Sequence, residues 1–376
     1  MRNDTGQATT EYTAVLALVA AALVGAGAVV GLDGVGKAVA SGLRTGVCIV
    51  GGDICRASDA AAAGLSPCTV GDRSTGGGMV VSVGWLRLGE AKGLTVAQRS
   101  DGSVIVTRTH ERRAGCGAGI GIDASPVGID IGAEVSGDLT MTSGEAWEFP
   151  DAAAAARFIA GDAHPPPAWR FGEAADVLGV QAGARVGFVT LGGAEASVQE
   201  VAGARVGRGL TTLYLRARLD AGVKWWSPGH GTRTRGPTTG DVVVELTLEH
   251  GQPREIAFRR LGVNAAAGHV VDTVARLDLR DPANRAAAAP LLARPLPWEG
   301  SAAEDLDRVL RLAAQRGTVE QSVYDVRDES GRLEIAARLG AQLGVDVSKV
   351  RVERRLVDAS AWVGGSGERL REDCLM

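Results

Sequence analysis

The stretch LTTLYLRARLDAGVK, residues 210–224, carries the pattern that decides the fold. From Leu213 onward it alternates: Leu213, Leu215, Ala217, Leu219, Ala221 and Val223 fall on one side, and Tyr214, Arg216, Arg218, Asp220 and Lys224 on the other. A period of two predicts a β-strand with one apolar and one polar face. One-sided alternation of this kind is typical of antiparallel sheets.

The same alternation recurs along most of the chain. It is present at 79–88, 95–98, 104–109, 127–136, 180–188, 242–249, 255–261, 319–326, 333–345 and 350–356. Turn-forming residues at Ser100–Gly102, Glu249–Gln252 and Asp328–Gly331 predict hairpin loops between neighbouring strands. We therefore predict a mainly β (β-rich α+β) fold, with a large antiparallel β-sheet domain.

Few segments have a helical period. Asp151 precedes an alanine-rich run that ends at Gly161, and Asp281-Pro282 opens a second candidate at 283–293. A third candidate, residues 303–315, carries an apolar stripe and ends before Gly317. We therefore expect a few short helices, with a helical segment near 268–317.

The longest uncharged run lies near the N-terminus. Tyr12–Leu32 has 21 residues without a charge, and as a helix it would be about 31 Å long, enough to cross a bilayer. A secretory signal peptide has a shorter apolar core. We predict a transmembrane helix within residues 1–46, followed by one β-rich domain at 47–376.

The residues before this run form a distinctive motif. A short polar leader ends at Gly6-Gln7, and Glu11-Tyr12 stand at the boundary of the apolar run. This arrangement resembles the class III type IV prepilin signal of Flp/Tad-type pilins and their pseudopilins. The resemblance implies cleavage between Gly6 and Gln7 by a prepilin peptidase, and it implies that Glu11 and Tyr12 serve assembly with other pilin-like subunits. A carboxylate at the edge of hydrocarbon is costly and needs a partner. The new α-amino group of a neighbour's Gln7 would be that partner.

Five cysteines bear on the compartment of the domain: Cys48, Cys55, Cys68, Cys116 and Cys374. The first three lie close together just beyond the apolar run, without a CxxC pair, so a zinc site is not expected. In an oxidising compartment five cysteines form two bridges and leave one thiol. We expect at least one bridge among the first three, and the spacing alone leaves the pairing open.

Motifs for catalysis are missing from the sequence, which has no G-x-S-x-G, Walker A or H-E-x-x-H pattern. No cofactor or metal is predicted, and the net charge of −4 argues against a nucleic-acid partner. The pairs Arg259-Arg260 and Arg354-Arg355 are interpreted as solvated strand faces. The glycine-rich blocks at 115–137 and 179–199 are interpreted as hairpins with small residues on one face.

These features predict a membrane-anchored, pilin-like surface protein without enzymatic activity. Its body would lie outside the cytoplasmic membrane, at the cell surface or in a Tad-like pilus, with a structural or adhesive role. Its expected partners are the prepilin peptidase, other pilin-like subunits and the membrane. Two alternatives stay open: a secreted, membrane-active β protein of the pore-forming type, whose glycine-rich hairpins insert into a target bilayer, and an anchored hydrolase.

Overall fold

The structure is a computed structural model, and its described part covers most of the chain beyond residue 48. The described residues are 42, 46, 48–77, 81–83, 86–88, 92–114, 122–124, 129–131, 139–180, 185–186, 189–190, 196–219, 240–264, 269–293, 303–328 and 351–375. Among them no helix combines the length and the apolar character needed to span a bilayer. The predicted transmembrane helix lies outside them and stays a prediction.

Nineteen strands and five helices have both of their ends within these described ranges, and residues 48–51 are helical as well. The strands are β1 (Thr69–Gly77), β2 (Val81–Val83), β3 (Leu86–Leu88), β4 (Lys92–Arg99), β5 (Val104–Ala114), β6 (Ile122–Ala124), β7 (Ile129–Ile131), β8 (Leu139–Phe149), β9 (Trp169–Val180), β10 (Arg185–Val186), β11 (Val189–Thr190), β12 (Ala196–Gly207), β13 (Leu210–Leu219), β14 (Gly240–Glu249), β15 (Gln252–Asn264), β16 (His269–Asp278), β17 (Thr318–Asp328), β18 (Arg351–Val363) and β19 (Arg369–Leu370). The helices are α1 (Ala57–Ala62), α2 (Ala152–Ala160), α3 (Pro282–Leu292), α4 (Ala303–Arg316) and α5 (Glu372–Leu375).

Twelve of the strands form a closed antiparallel barrel. Their order is β1-β4-β5-β8-β9-β12-β13-β14-β15-β16-β17-β18, and β1 pairs with β18 to complete the circle. The short β19 adds to β18 beside this closure. The prediction of a mainly β, antiparallel fold with a few short helices is confirmed. Closure of the sheet was not predicted, because alternation identifies strands and their faces but not the strand that pairs with the first one.

The apolar face of the strands points outward and is covered by helices. The main core cluster joins outward residues of β12–β17 to α3 and α4. Its members include Leu213, Val244, Ile256, Phe258, Leu277, Val319, Leu291, Val309 and Ala313. Helix α2 covers a second cluster on β5 and β8, where the Phe158 ring lies 4.7 Å from that of Trp147 and 5.1 Å from that of Phe149.

The predicted helix boundaries follow from capping. The Asp151 carboxylate accepts a hydrogen bond from the Ala154 N–H, and Gly161 ends α2 with a φ of 91°. The Asp281 carboxylate caps α3 in the same way, with Pro282 at its first position. A side chain at Gly317 would overlap the Arg276 carbonyl oxygen, so the chain can leave α4 for β17 only through glycine.

The two ends of the barrel have very different connections. At one end, the base end, the strands are joined through 100–103, 150–168, 208–209, 250–251 and 279–317. The predicted loops at Ser100–Gly102 and Glu249–Gln252 are confirmed there. At the other end, the hairpin end, the connections are 78–91, 115–138, 181–195, 220–239, 265–268 and 329–350. The predicted loop at Asp328–Gly331 lies largely outside the described residues, and Asp328 itself still pairs with Val352.

Candidate functional site

The inward face of the barrel is polar and is the most unusual feature of the described residues. A barrel of eight strands is just filled by its side chains, so twelve strands enclose a wider space that only long side chains bridge. We call the following buried residues the charged belt: Asp72, Glu173, Arg205, Tyr214, Arg216, Glu245, Arg259, Asp272, Tyr324 and Arg354. They lie on nine of the twelve barrel strands and are buried on the face that the helices do not cover, so they face the interior.

One part of the belt is built across a glycine. The Tyr214 hydroxyl of β13 donates a hydrogen bond of 2.7 Å to the Glu173 carboxylate of β9, although β12 lies between the two strands. The ring crosses β12 at Gly203, where a Cβ would overlap it. Arg216 approaches the same carboxylate at 3.8 Å. Gly203 is therefore required by the close approach of Tyr214, not by a turn.

Neighbouring strands continue the belt with alternating charge. The Arg259 guanidinium lies 3.9 Å from the Glu245 carboxylate and 3.6 Å from that of Asp272, so one cation serves two anions. On β12, the Arg205 guanidinium donates a hydrogen bond of 3.2 Å to the Thr212 hydroxyl and lies 4.4 Å from the Trp169 ring centroid. Each cation therefore lies against an anion, a hydroxyl or an aromatic ring.

The belt also crosses the closure between β1 and β18, which we call the seam. Arg354 of β18 and Asp72 of β1 are direct register partners, and their side chains form a two-point ion pair with both residues buried. The Tyr324 ring lies 5.1 Å from the Arg354 guanidinium carbon. The only strand pair that joins the two ends of the barrel sequence is therefore held on its inside by charge.

Burial shifts the ionisation of the belt. It raises the pKa of the Asp72 and Asp272 carboxyls, against the opposing effect of Arg354 and Arg259 respectively. Burial lowers the pKa of the Arg205 guanidinium to about 10. Burial and the negative charge of Glu173 raise the pKa of Tyr214 well above its usual value, so its hydroxyl stays a donor.

A second polar cluster closes the base end, and we call it the terminal clasp: residues 53–54, 66–68 and 369–375 with Glu320. The fully buried Arg371 guanidinium bonds the Asp373 carboxylate, Glu320 at 2.8 Å and the Ser66 carbonyl oxygen at 3.0 Å. Arg276 of β16 pairs with the same Glu320. The C-terminal residues are thereby tied to the barrel interior.

The disulfide candidates fall into two pairs beside the clasp. Cys48 is joined to Cys55 with 5.9 Å between their Cα atoms, and Cys68 is joined to Cys374 with 5.6 Å between theirs. The first bridge lies inside the cysteine cluster near the N-terminus. The second spans 306 positions of sequence, a pairing that no spacing argument reveals. Cys116, like the predicted processing residues Gly6 and Gln7 and assembly residues Glu11 and Tyr12, lies outside the described residues.

The interpretation of the arginine pairs as solvated was wrong for one member of each. Arg259 and Arg354 are buried, because they face the barrel interior and find carboxylates there. The belt acids Asp72, Glu173 and Glu245 were missed altogether. In the sequence these acids are charged residues on the polar face of successive strands. Such a face is interpreted as solvent-exposed unless the sheet is known to close into a barrel.

The chemistry available to the belt follows from its pairing. Cations and carboxylates face one another across strands, so the belt neutralises most of its own charge and braces the wall. Within the described ranges, no group of three His, Cys, Asp or Glu side chains lies close enough to hold a metal ion.

These features define the class of protein: a disulfide-linked, closed antiparallel barrel of twelve strands, with helices outside and a charged interior. No protein family, no curated protein and no solved structure matches the chain.

Proposed function

We propose that this protein is a membrane-anchored, pilin-like surface protein whose barrel presents its hairpin end away from the membrane. Its role would be structural or adhesive, in a Tad-like pilus or the cell envelope, and without catalysis. The observation that carries the proposal is the polarity of the barrel. The chain enters at the base end, where three of the five connections between strands have four residues or fewer, whereas five of the six connections at the opposite end have 14 or more.

Because the two ends of the barrel differ in their connections, the predicted anchor and the hairpins would lie at opposite ends. The predicted membrane helix ends at Leu32, and β1 begins at Thr69 beside the base-end turn, where the Ser100 N–H bonds the Cys68 carbonyl oxygen. The base end would therefore face the membrane. The longest barrel strand has 13 residues, which with usual strand rise and tilt places the hairpin end roughly 33 Å further out.

The wall of the barrel suits a display scaffold. Closure removes exposed strand edges, which would otherwise pair with other chains. The charged belt and two disulfides brace the wall from inside and at the base. Disulfides persist in compartments outside the cytoplasm, in agreement with an extracytoplasmic body.

The anchor supplies the partners of this function. A prepilin peptidase would cut between Gly6 and Gln7, and Glu11 with Tyr12 would engage neighbouring pilin-like subunits in the membrane. The body is much larger than that of a major Flp-type pilin, which favours a minor or tip component.

The proposal is tested by surface labelling of intact host cells. A short epitope replacing 229–231, in the hairpin-end connection 220–239, should be labelled by antibody before lysis. A cytoplasmic protein carrying the same epitope is the negative control, and an epitope in the base-end turn Asp101-Gly102 is the matched position on the barrel. Labelling of the 229–231 epitope only after lysis would contradict the proposal.

The mature N-terminus tests the anchor separately. The protein purified from its host should begin at Gln7, and Gly6→Leu should leave the leader in place and remove the protein from pilus fractions. A mature chain that begins at Met1 or beyond Leu32 would exclude the prepilin assignment.

One observation favours the membrane-active alternative. The ladder of β6 and β7 has the register of the long β5–β8 ladder, since Ala114 pairs with Leu139 and Ile122 with Ile131. The β2–β3 ladder continues the β1–β4 register in the same way. Ribbons that continue the wall of a barrel are what a pore-forming protein inserts. Release of calcein from phosphatidylcholine–phosphatidylglycerol vesicles would support this alternative, and intact vesicles at saturating protein would exclude it.

A further inference from the structure

The seam between β1 and β18 has the shortest ladder of the barrel wall within the described residues. There it pairs Gly71–Thr75 with Arg351–Arg355, five residue pairs, whereas the next shortest described ladder, between β4 and β5, has six. Every other strand pair of the barrel is joined directly by a connection in sequence or by the helical segment. The seam alone unites the two ends of the barrel sequence.

At the base end, β1 and β18 separate and the C-terminal residues fill the space between them. Beyond Arg355, β18 runs on to Val363 without a partner in β1, and there Ser360 pairs with Leu370 of β19. On the side away from β18, the segment that contains β19 contacts the chain before β1. Ile54 forms a parallel bridge with Arg371, and the Asp373 N–H bonds the Ile54 carbonyl oxygen at 3.1 Å. Residues 369–375 therefore form a wedge in the seam.

The wedge is held by one covalent bond, by one buried cation and by backbone hydrogen bonds, among them those from the Ile54 N–H to the Leu370 carbonyl oxygen and from the Arg371 N–H to the Ala359 carbonyl oxygen. Cys374 is joined to Cys68, the residue directly before β1. Arg371 reaches from the wedge to Glu320 of β17 and to the Ser66 carbonyl oxygen. Across the wedge, the disulfide connects β1 to β18 at the level where their own ladder has ended.

We propose that closure of the barrel is an oxidation-dependent step: the wedge docks and the seam is completed only when Cys68 and Cys374 form their disulfide. In the dithiol form the wedge detaches, and the described part of the seam is left with its five residue pairs and the Asp72–Arg354 ion pair. The remaining ladders keep their own sequence-local connections, so the opening is confined to β1, β18 and β19. This redox dependence is a property of the folded barrel, and it does not rest on the location proposed for the protein.

The step is a thiol–disulfide exchange with an external disulfide donor. Cys68 and Cys374 each give up a proton, one S–S bond forms between them, and the S–S bond of the donor is reduced to two thiols. The cytoplasm keeps thiols reduced, whereas the space outside it supplies disulfide donors. If the proposed extracytoplasmic location holds, the barrel stays open at its seam until export and closes afterwards.

The test is hydrogen–deuterium exchange of the full-length chain in mild detergent, with oxidised or reduced glutathione as the probe. Reduction should raise exchange of the seam amides, in peptides covering 69–77 and 351–363, by about tenfold or more, as expected for local opening. Exchange in 240–249 and 252–264 should change less than twofold. Cys374→Ser should reproduce the effect of reduction without added thiol.

The matched control removes the other bridge. Cys48→Ser with Cys55→Ser should leave exchange at the seam unchanged in oxidised glutathione. If Cys374→Ser fails to fold, reduction of the folded wild-type protein still decides. The proposal is overturned if the reduced seam stays as protected as 240–264, or if all regions lose protection together. Surface labelling is a separate readout, so failure of the location and failure of the switch are distinguishable.

Discussion

The sector β12–β17 and the seam sector β18-β1-β4 belong to one barrel and share the charged belt, but they differ in what covers them outside and in how their strands are joined. The first has long ladders and an outer apolar face buried beneath α3 and α4. The second has the shortest ladder, exposed charges outside at Arg73 and Arg355, a buried ion pair inside and a disulfide at its base. Hydrophobic burial is insensitive to redox state and only weakly sensitive to pH, whereas ion pairs depend on pH and disulfides depend on redox state. We therefore expect reduction of the disulfides to affect the seam sector more than the sector β12–β17.

Cutting the chain gives the largest expected effect. A break between 167 and 168 separates β8 from β9. Neither half can form the seam, because β1 lies in one half and β18 in the other. Residues 47–167 and 168–376, expressed separately, should each aggregate, because open sheets expose unpaired edges and apolar faces. A half that is soluble and melts sharply alone would show that the sectors are independent domains.

Removing the buried cation at the seam comes next. Arg354→Leu leaves the Asp72 carboxylate buried without its partner, and it should lower the free energy of unfolding by about 3–5 kcal/mol in denaturant titrations. Adding Asp72→Asn should recover part of this loss. The control is Arg73→Gln on the same ladder, which removes the exposed pair with Glu353 and should cost at most about 0.5 kcal/mol. Equal losses of unfolding free energy in Arg354→Leu and Arg73→Gln would contradict a stabilising role for the buried Asp72–Arg354 ion pair.

A cavity in the helix-covered sector should cost somewhat less. Leu277 is fully buried in the main core cluster, and Leu277→Ala should lower the free energy of unfolding by about 3 kcal/mol. The loss should be the same in oxidised and reduced buffer, because this sector holds no disulfide. A loss that depends on the thiol reagent would show that the two sectors are coupled.

The smallest effect concerns pH, and two acids on β16 should respond in opposite directions. Burial raises the folded-state pKa of Asp272 above 3.8, so its contribution to stability increases as pH falls from neutral towards 4. Hydrogen bonding to Arg280 lowers the pKa of Asp278 below 3.8, so its contribution is present above about 3.8 and is lost as pH falls below that value. Chemical denaturation of Asp272→Asn and Asp278→Asn between pH 3 and 7 measures both slopes. Slopes of the same sign would contradict the assignment of Asp272 to a buried site.

Local patterns predicted much of the described fold. The alternation at 210–219 correctly placed Leu213 on the buried apolar face opposite Tyr214 and Arg216. Asp151, Gly161 and Gly317 marked helix boundaries because capping involves residues that are neighbours in sequence. The predicted anchor, processing and assembly residues stay predictions, since they lie outside the described residues.

The charged belt was beyond such patterns. A strand that is apolar on one side and charged on the other has the same sequence pattern whether its charged side faces water or the inside of a barrel. Arg259 and Arg354 were assigned to water for this reason. Only the positions of Glu245, Asp272 and Asp72 on other strands supply the partners that make their burial favourable.

By itself the sequence determined the strands, their two faces, the antiparallel arrangement and the short capped helices, because each depends on residues a few positions apart. The tertiary structure alone decided that the sheet closes, that its polar face is the inner one and that Cys68 meets Cys374. The physical reason is distance along the chain. The closure brings together residues that are hundreds of positions apart. The pairs that stabilise it cannot be identified from the sequence, because their members become neighbours only when the twelve strands are in order.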